Sequence, residues 1–193
     1  MNLRLKFLLI RFCFLIADIL FLPFFFILAL LSRFLKKKID IGIGPIPLIN
    51  NQYHKKSLEM YGYKAETFVD STWFITKDFD IIMSNYLKGI FRFFTPYFLF
   101  LICITRYKAL YIYFVGGPLR TSTLLRNLEP IFLKIANIKT VLLAYGADVH
   151  NFTATNNYAF KDATSIDYPH FKFFQLSNIR AIERWTNWGD FIF

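Results

Sequence analysis

Ile39-Asp40-Ile41-Gly42-Ile43-Gly44-Pro45-Ile46-Pro47-Leu48 is the stretch on which the fold turns. Its first half is rich in β-branched residues, which fit a pleated strand, and Gly44, Pro45 and Pro47 then interrupt the run. Residues 48–61 have helical composition, with Gly62 placed to cap the helix at its C-terminus. Residues 63–69 return to strand formers. Strand, glycine turn, helix and strand make one βαβ unit, the building block of a parallel sheet.

The alternation continues. An apolar helix is expected over 86–104, a strand over 109–115 ending at Gly116-Gly117-Pro118, and a helix over 124–136. A strand over 139–144 ends at Tyr145-Gly146-Ala147-Asp148, 177–187 reads as a helix, and 190–193 as a last strand. Residues 149–174 are polar and aromatic and read as a long loop with little regular structure, His170 lying on its surface. The pattern predicts an α/β domain over 39–193, a Rossmann-like doubly wound parallel sheet.

Ahead of that domain, residues 12–31 read FCFLIADILFLPFFFILALL, twenty residues with one charge. About twenty helical residues cross a hydrocarbon core. Arg4, Lys6 and Arg11 precede the segment or open it, and Arg33, Lys36, Lys37 and Lys38 follow it. No small-residue cleavage site follows, so 1–38 reads as a retained membrane anchor that leaves the rest of the chain on the cytoplasmic face of the membrane. Asp18 is costly in a bilayer interior and Pro23 removes a helix hydrogen bond. Two arrangements therefore stay open: a transmembrane helix, or a re-entrant or monotopic form that enters, turns near Pro23 and leaves on the same side. The apolar run 97–104 is too short to span and fits either burial against the sheet or a membrane-facing surface.

Composition narrows the classes further. Of 193 residues 55% are hydrophobic and 25 are Phe, more than one small soluble core needs, which favours contact with lipid. The net charge of +10 suits an anionic membrane surface, since no nucleic-acid module accompanies it. Cys13 and Cys103 lack metal or redox spacing and read as two buried thiols. No cluster of metal ligands appears, and neither metal nor cofactor is expected.

Ligands of doubly wound sheets bind beyond the carboxyl ends of the strands, and three predicted strands end in glycine-bearing turns: Gly42-Ile43-Gly44, Gly116-Gly117 and Tyr145-Gly146. Such turns admit a phosphate or sugar, and serve equally as plain turn geometry. Asn50, Asn51 and His54 stand within one helical turn of the first, Asn50 and His54 on one face. They suit sugar hydroxyls or a diphosphate, or simply meet water. Asp148 and His150 follow the 139–144 strand, where they fit a proton-moving pair as well as a capping Asp beside a surface His.

Gly-Ile-Gly-Pro-Ile-Pro-Leu-Ile-Asn-Asn at 42–51, with His54, resembles the start of the N-terminal domain of bacterial GT-B glycosyltransferases. Tyr-Ile-Tyr-Phe-Val-Gly-Gly-Pro-Leu at 111–119, Leu-Glu-Pro at 128–130, Ala-Tyr-Gly-Ala-Asp-Val at 144–149 and Arg-Trp-Thr-Asn-Trp-Gly-Asp at 184–190 follow in that family's order. The resemblance implies the acceptor-side half of a GT-B fold, with a sugar passing from a nucleotide-sugar donor to a lipid-linked or envelope glycan acceptor. It implies Asp148 and His54 as catalytic candidates. Gly42, Gly44, Asn50, Asn51, Gly116, Gly117, Tyr145, Gly146 and His150 would line the cleft. The donor-binding half has no counterpart in these 193 residues, so the chain is expected to be inactive alone, either a truncated frame or a membrane-anchored subunit that recruits a separate donor-binding chain.

Overall fold

The computed structural model describes residues 3–74, 76–149, 156–168 and 171–193. Helix α1 (Leu3–Ser32) leads into β1 (Ile39–Ile43), α2 (Asn50–Met60), β2 (Ala65–Val69) and the two-residue β3 (Ile81–Ile82). Then come α3 (Thr95–Arg106), β4 (Tyr107–Tyr113), α4 (Leu125–Ile135), β5 (Lys139–Leu143), α5 (Tyr158–Asp167), α6 (Phe171–Trp188) and β6 (Phe191–Ile192). The strands form one six-stranded sheet in the order β3-β2-β1-β4-β5-β6, and every pair is parallel. This is the order of a doubly wound sheet. From β1 the chain winds one way to β2 and β3, and from β4 the other way to β5 and β6. Right-handed crossovers therefore put α2 on one face and α4 on the opposite face.

The core lies on the α4 face. Leu110 and Ile112 of β4, Leu142 of β5, Leu99, Phe100 and Cys103 of α3, and Phe132 and Leu133 of α4 are fully or almost fully buried there. The run 97–104 is accordingly a core element: Tyr97, Leu99, Phe100, Cys103 and Ile104 are buried and Phe98 is exposed. The helix predicted over 86–104 begins only at Thr95, where Pro96 is suited to a first turn, and 3₁₀ turns occupy Met83–Asn85 and Gly89–Phe94 instead. Strand β3 escaped the sequence reading, because two residues carry no alternation. The expected loop over 149–174 contains α5 and the start of α6. Asn157 caps α5 by accepting the Phe160 N–H at 3.0 Å, a signal masked by the polar, aromatic composition around it.

Helix α1 is continuous over 30 residues, about 45 Å, with no turn at Pro23, so the re-entrant arrangement does not describe it. By length and composition, Leu8–Ser32 is apolar enough to cross a membrane, and so is Gly89–Arg106. One stripe of α1 packs against α3 and α4. Phe14, Asp18, Phe21, Phe25, Ala29 and Ser32 recur at the spacing of a single helix face. On this stripe Phe21 stacks on Tyr97 at 4.5 Å, and Phe25 meets Phe100 edge-on at 5.0 Å. The apolar N-terminal helix is thus built into the same core as the sheet. Cys13 is exposed on α1, contrary to the expectation of two buried thiols, because it lies off that stripe.

Asp18 is fully buried in protein, not in lipid. Its carboxylate accepts the Tyr97 hydroxyl at 2.8 Å and the backbone N–H groups of Thr123 at 2.8 Å, Leu124 at 2.6 Å and Leu125 at 3.3 Å. These N–H groups sit at the start of α4, where the helix dipole is positive and no intrahelical acceptor exists. The Ser122 hydroxyl takes the Arg126 N–H at 2.8 Å. A residue more than a hundred positions upstream therefore helps cap α4.

Candidate functional site

A cleft of about 700 Å³ opens beyond the carboxyl ends of β4 and β5, between the turns that follow them and helices α4 and α6. This is where the doubly wound order places ligands. Val115 and Gly116 come from the β4 turn, Tyr145 and Asp148 from the β5 turn, Asn127 and Glu129 from α4. Five arginines line the cleft: Arg11 of α1, Arg120, Arg126 of α4, and Arg180 and Arg184 of α6. Arg180 and Arg184 stand four apart, on one helical face, and aim into the same space.

Gly116 has φ of +115°, and an added Cβ would lie 3.1 Å from Arg120 Cβ and 3.6 Å from Trp185 Nε1. Only glycine fits there without strain, so the β4 turn can pass close beneath the arginines. Asp148 ties the two turns together. One oxygen accepts the N–H groups of Tyr145 at 3.1 Å and Gly146 at 3.0 Å, and the other accepts that of Phe114 at 3.3 Å. Burial pushes its carboxyl above the ordinary range, against the pull of these N–H bonds. Its oxygens are engaged by backbone, so Asp148 reads here as the clasp of the cleft floor.

Glu129 is fully buried behind Gly117, whose added Cβ would lie 2.6 Å from Glu129 Oε1. Oε1 accepts the Leu119 N–H at 3.0 Å, and Oε2 has no partner among the described residues. Burial raises this carboxyl to about 7, offset in part by the Leu119 N–H, Arg120 and Arg184. A folded value above the unfolded one means stability is full below about pH 4.5 and is lost as pH rises towards 7. The loss is on the order of 3 kcal/mol. Glu129→Gln keeps the acceptor and stays neutral, so the fall in urea-unfolding stability between pH 4.5 and 7.5 should shrink by about 2–3 kcal/mol. An unchanged pH slope would contradict this environment.

Two of the arginines keep unspent donors. Arg120 pairs with Asp70, yet its Nη1 is buried without a partner among the described residues, as is Nε of Arg126. Arg184 donates to Asn127 Oδ1 at 2.6 Å. Burial lowers the Arg126 guanidinium from its ordinary range, and Arg11 and Arg180 add to the effect; burial and then Arg126 do the same to Arg184. The positive charges press on one another.

The structure sorts the sequence candidates. Gly116, Tyr145 and Asp148 line the cleft, with Gly146 adjoining and Gly117 seating Glu129. Gly42 and Gly44 do not line it: both are buried, and a Cβ on them would run into the Tyr107 ring and the Phe68 carbonyl oxygen. They are glycine because neighbouring chain lies against them. Asn50 is exposed at the start of α2, whereas Asn51 is buried, donating to the Ile46 carbonyl at 2.7 Å and accepting the Tyr113 hydroxyl at 2.6 Å. His54 packs at 5.1 Å on Tyr111, which meets Tyr113, which meets Tyr145. A row of rings thus separates it from the cleft, and burial lowers its pKa. His150 and His170 fall outside the described residues.

Four of the five arginines were not singled out in the sequence as site residues, and the fifth, Arg184, only as part of a block. The i, i+4 pair on α6 was the available signal; Arg11 and Arg126 offered none, being brought in by packing. Among the described residues no three His, Cys, Asp or Glu side chains come together as metal ligands would. No family model, curated protein or solved structure matches the chain.

Proposed function

We propose that this chain is the acceptor-side domain of a membrane-associated glycosyltransferase of GT-B type. The observation that carries the reading is convergence. The blocks at 111–119, 128–130, 144–149 and 184–190, found through their resemblance to that family, contribute Gly116, Glu129, Tyr145, Asp148 and Arg184 to one cleft. The parallel order brings the turns after β4 and β5 to the carboxyl edge, where doubly wound sheets bind ligands, and the residues of these blocks line the cleft found there. The block at 42–51 contributes close packing instead.

Membrane association is supported by the outward face of α1, where Ile16, Ile19, Leu20, Ile27 and Leu31 are all exposed. The inward face is held by Asp18, so crossing a bilayer would strip the N–H groups of α4 of their acceptor. This favours a helix lying in the membrane surface with the domain on top. The cleft would then hold an acceptor presented at the bilayer, and the arginines would steady negative charge near it.

Sugar transfer in lipid vesicles tests the reading. Vesicles carrying a lipid-linked glycan receive the purified chain and radiolabelled nucleotide sugars, with and without a C-terminal donor-binding domain joined after Phe193. The expected result is label in the lipid fraction only when both halves are present. Transfer by the 193-residue chain alone would overturn the acceptor-side assignment, and no transfer with both halves would overturn the enzyme family.

A further inference from the structure

The composition of the cleft asks for an anion. Five arginines line the cleft, of which Arg120 is paired with Asp70. Of the two buried carboxylates beside them, one is taken up by backbone N–H groups and the other raised towards neutrality by burial. Buried guanidinium donors of Arg120 and Arg126 have no partner among the described residues. Buried donors are ordinarily satisfied, and arginine presents paired N–H groups that match phosphate oxygens. Several arginines converging on a hollow this size suit a group with more than one negative charge.

The rim of the cleft says what else the ligand carries. Arg11 belongs to α1, and Leu8, one turn before it, is exposed, as is its neighbour Phe12. Across the opening, Leu176 of α6 lines the cleft while 68% exposed. Apolar side chains thus flank the arginines, continuous with the outward face of α1. A diphosphate fills a small part of 700 Å³, leaving room for a substituent.

We propose that this cleft binds the phosphate or diphosphate group of a lipid embedded in the membrane beneath α1, the arginines taking the headgroup while the chain runs past Leu8, Phe12 and Leu176. Identifying that lipid as the carrier of the acceptor glycan rests on the glycosyltransferase reading. The binding does not, and it is measured with no sugar donor present.

The experiment uses the full chain in detergent and in vesicles. Inorganic pyrophosphate is titrated calorimetrically at low salt into the chain and into Arg180→Ala, an exposed position whose loss leaves the fold intact. A second variant, Arg126→Gln, keeps much of the side-chain volume. Then phosphatidylcholine vesicles containing a few mole per cent of a long-chain prenyl diphosphate, or of the matching prenyl alcohol, compete against pyrophosphate. Expected are pyrophosphate binding that weakens at least tenfold in each variant, and displacement by the lipid diphosphate but not by the alcohol. Pyrophosphate binding that the lipid diphosphate fails to displace would assign the cleft to a free anion and overturn the lipid source. Absence of pyrophosphate binding, or binding by both variants as tight as by the unsubstituted chain, would overturn the anion site itself. A chain that binds the lipid diphosphate yet never supports sugar transfer would leave the anion site standing and remove the glycosyltransferase reading alone.

Discussion

Asp18→Ala should cost on the order of 4 kcal/mol of stability, read as a lowered urea midpoint in detergent at constant slope. The carboxylate is fully buried and holds three backbone N–H groups and the Tyr97 hydroxyl. Alanine takes this acceptor from the three N–H groups, leaves the Tyr97 hydroxyl only the Phe14 carbonyl at 3.4 Å, and opens a hole between α1 and α4. Asp18→Asn retains one acceptor oxygen and should lose less, and Tyr97→Phe, which removes a single donor, about 1–2 kcal/mol. The sign separates two pictures of α1. An aspartate lying in a bilayer interior is a burden, so its removal would strengthen insertion and raise stability. A gain, or a loss below about 1 kcal/mol, would mean that α1 is not docked on α4 through this residue.

The second large effect is on membrane affinity. Leu20, Ile27 and Leu31 are 70%, 56% and 59% exposed and lie on one stripe of α1, opposite Asp18 and Phe25. Replacing all three by Glu should move the protein from the floated vesicle fraction to the soluble one, weakening partition more than a hundredfold. Replacing an apolar residue by a charge at a helix centre costs roughly 3 kcal/mol, and even a third of that per site at an interface adds up to such a factor. Urea stability should change by less than about 1 kcal/mol, because these side chains make no core contact. Deletion of residues 1–38 is a poorer test. It removes Phe25, Ala29 and the Asp18 cap from the core, so loss of membrane binding could not be told from loss of fold. A triple variant that still pellets with membranes after a high-salt wash would place the membrane contact elsewhere, with the exposed Ile90 and Phe91 the next candidates.

Local pattern determined a good deal of this protein. The β-branched run at 39–43, the strand formers at 65–69, and the glycines that follow β4 and β5 are neighbours in sequence, so their conformational preferences could be read directly. Parallel pairing followed because strands separated by a helix return in the same direction. The twenty-residue apolar segment was equally legible, since bilayer affinity depends on composition more than on partners.

The tertiary structure decided where charges and glycines act, since those roles depend on partners far along the chain. Asp18 reads as a misfit in a lipid-soluble helix until residues 123–125 arrive to receive it. Gly42 and Gly44 look like a phosphate turn, and only the approach of Tyr107 and Phe68 makes them packing glycines. The arginines of the cleft sit on α1, α4, α6 and the β4 turn; as single cations in sequence each is an ordinary surface residue. What brings them together is the crossover geometry, which places α4 and α6 beyond β4 and β5, and the seating of α1 against α4, which adds Arg11. Secondary structure is set by short-range backbone preference, whereas a field of converging charges exists only once the helices that carry them are packed.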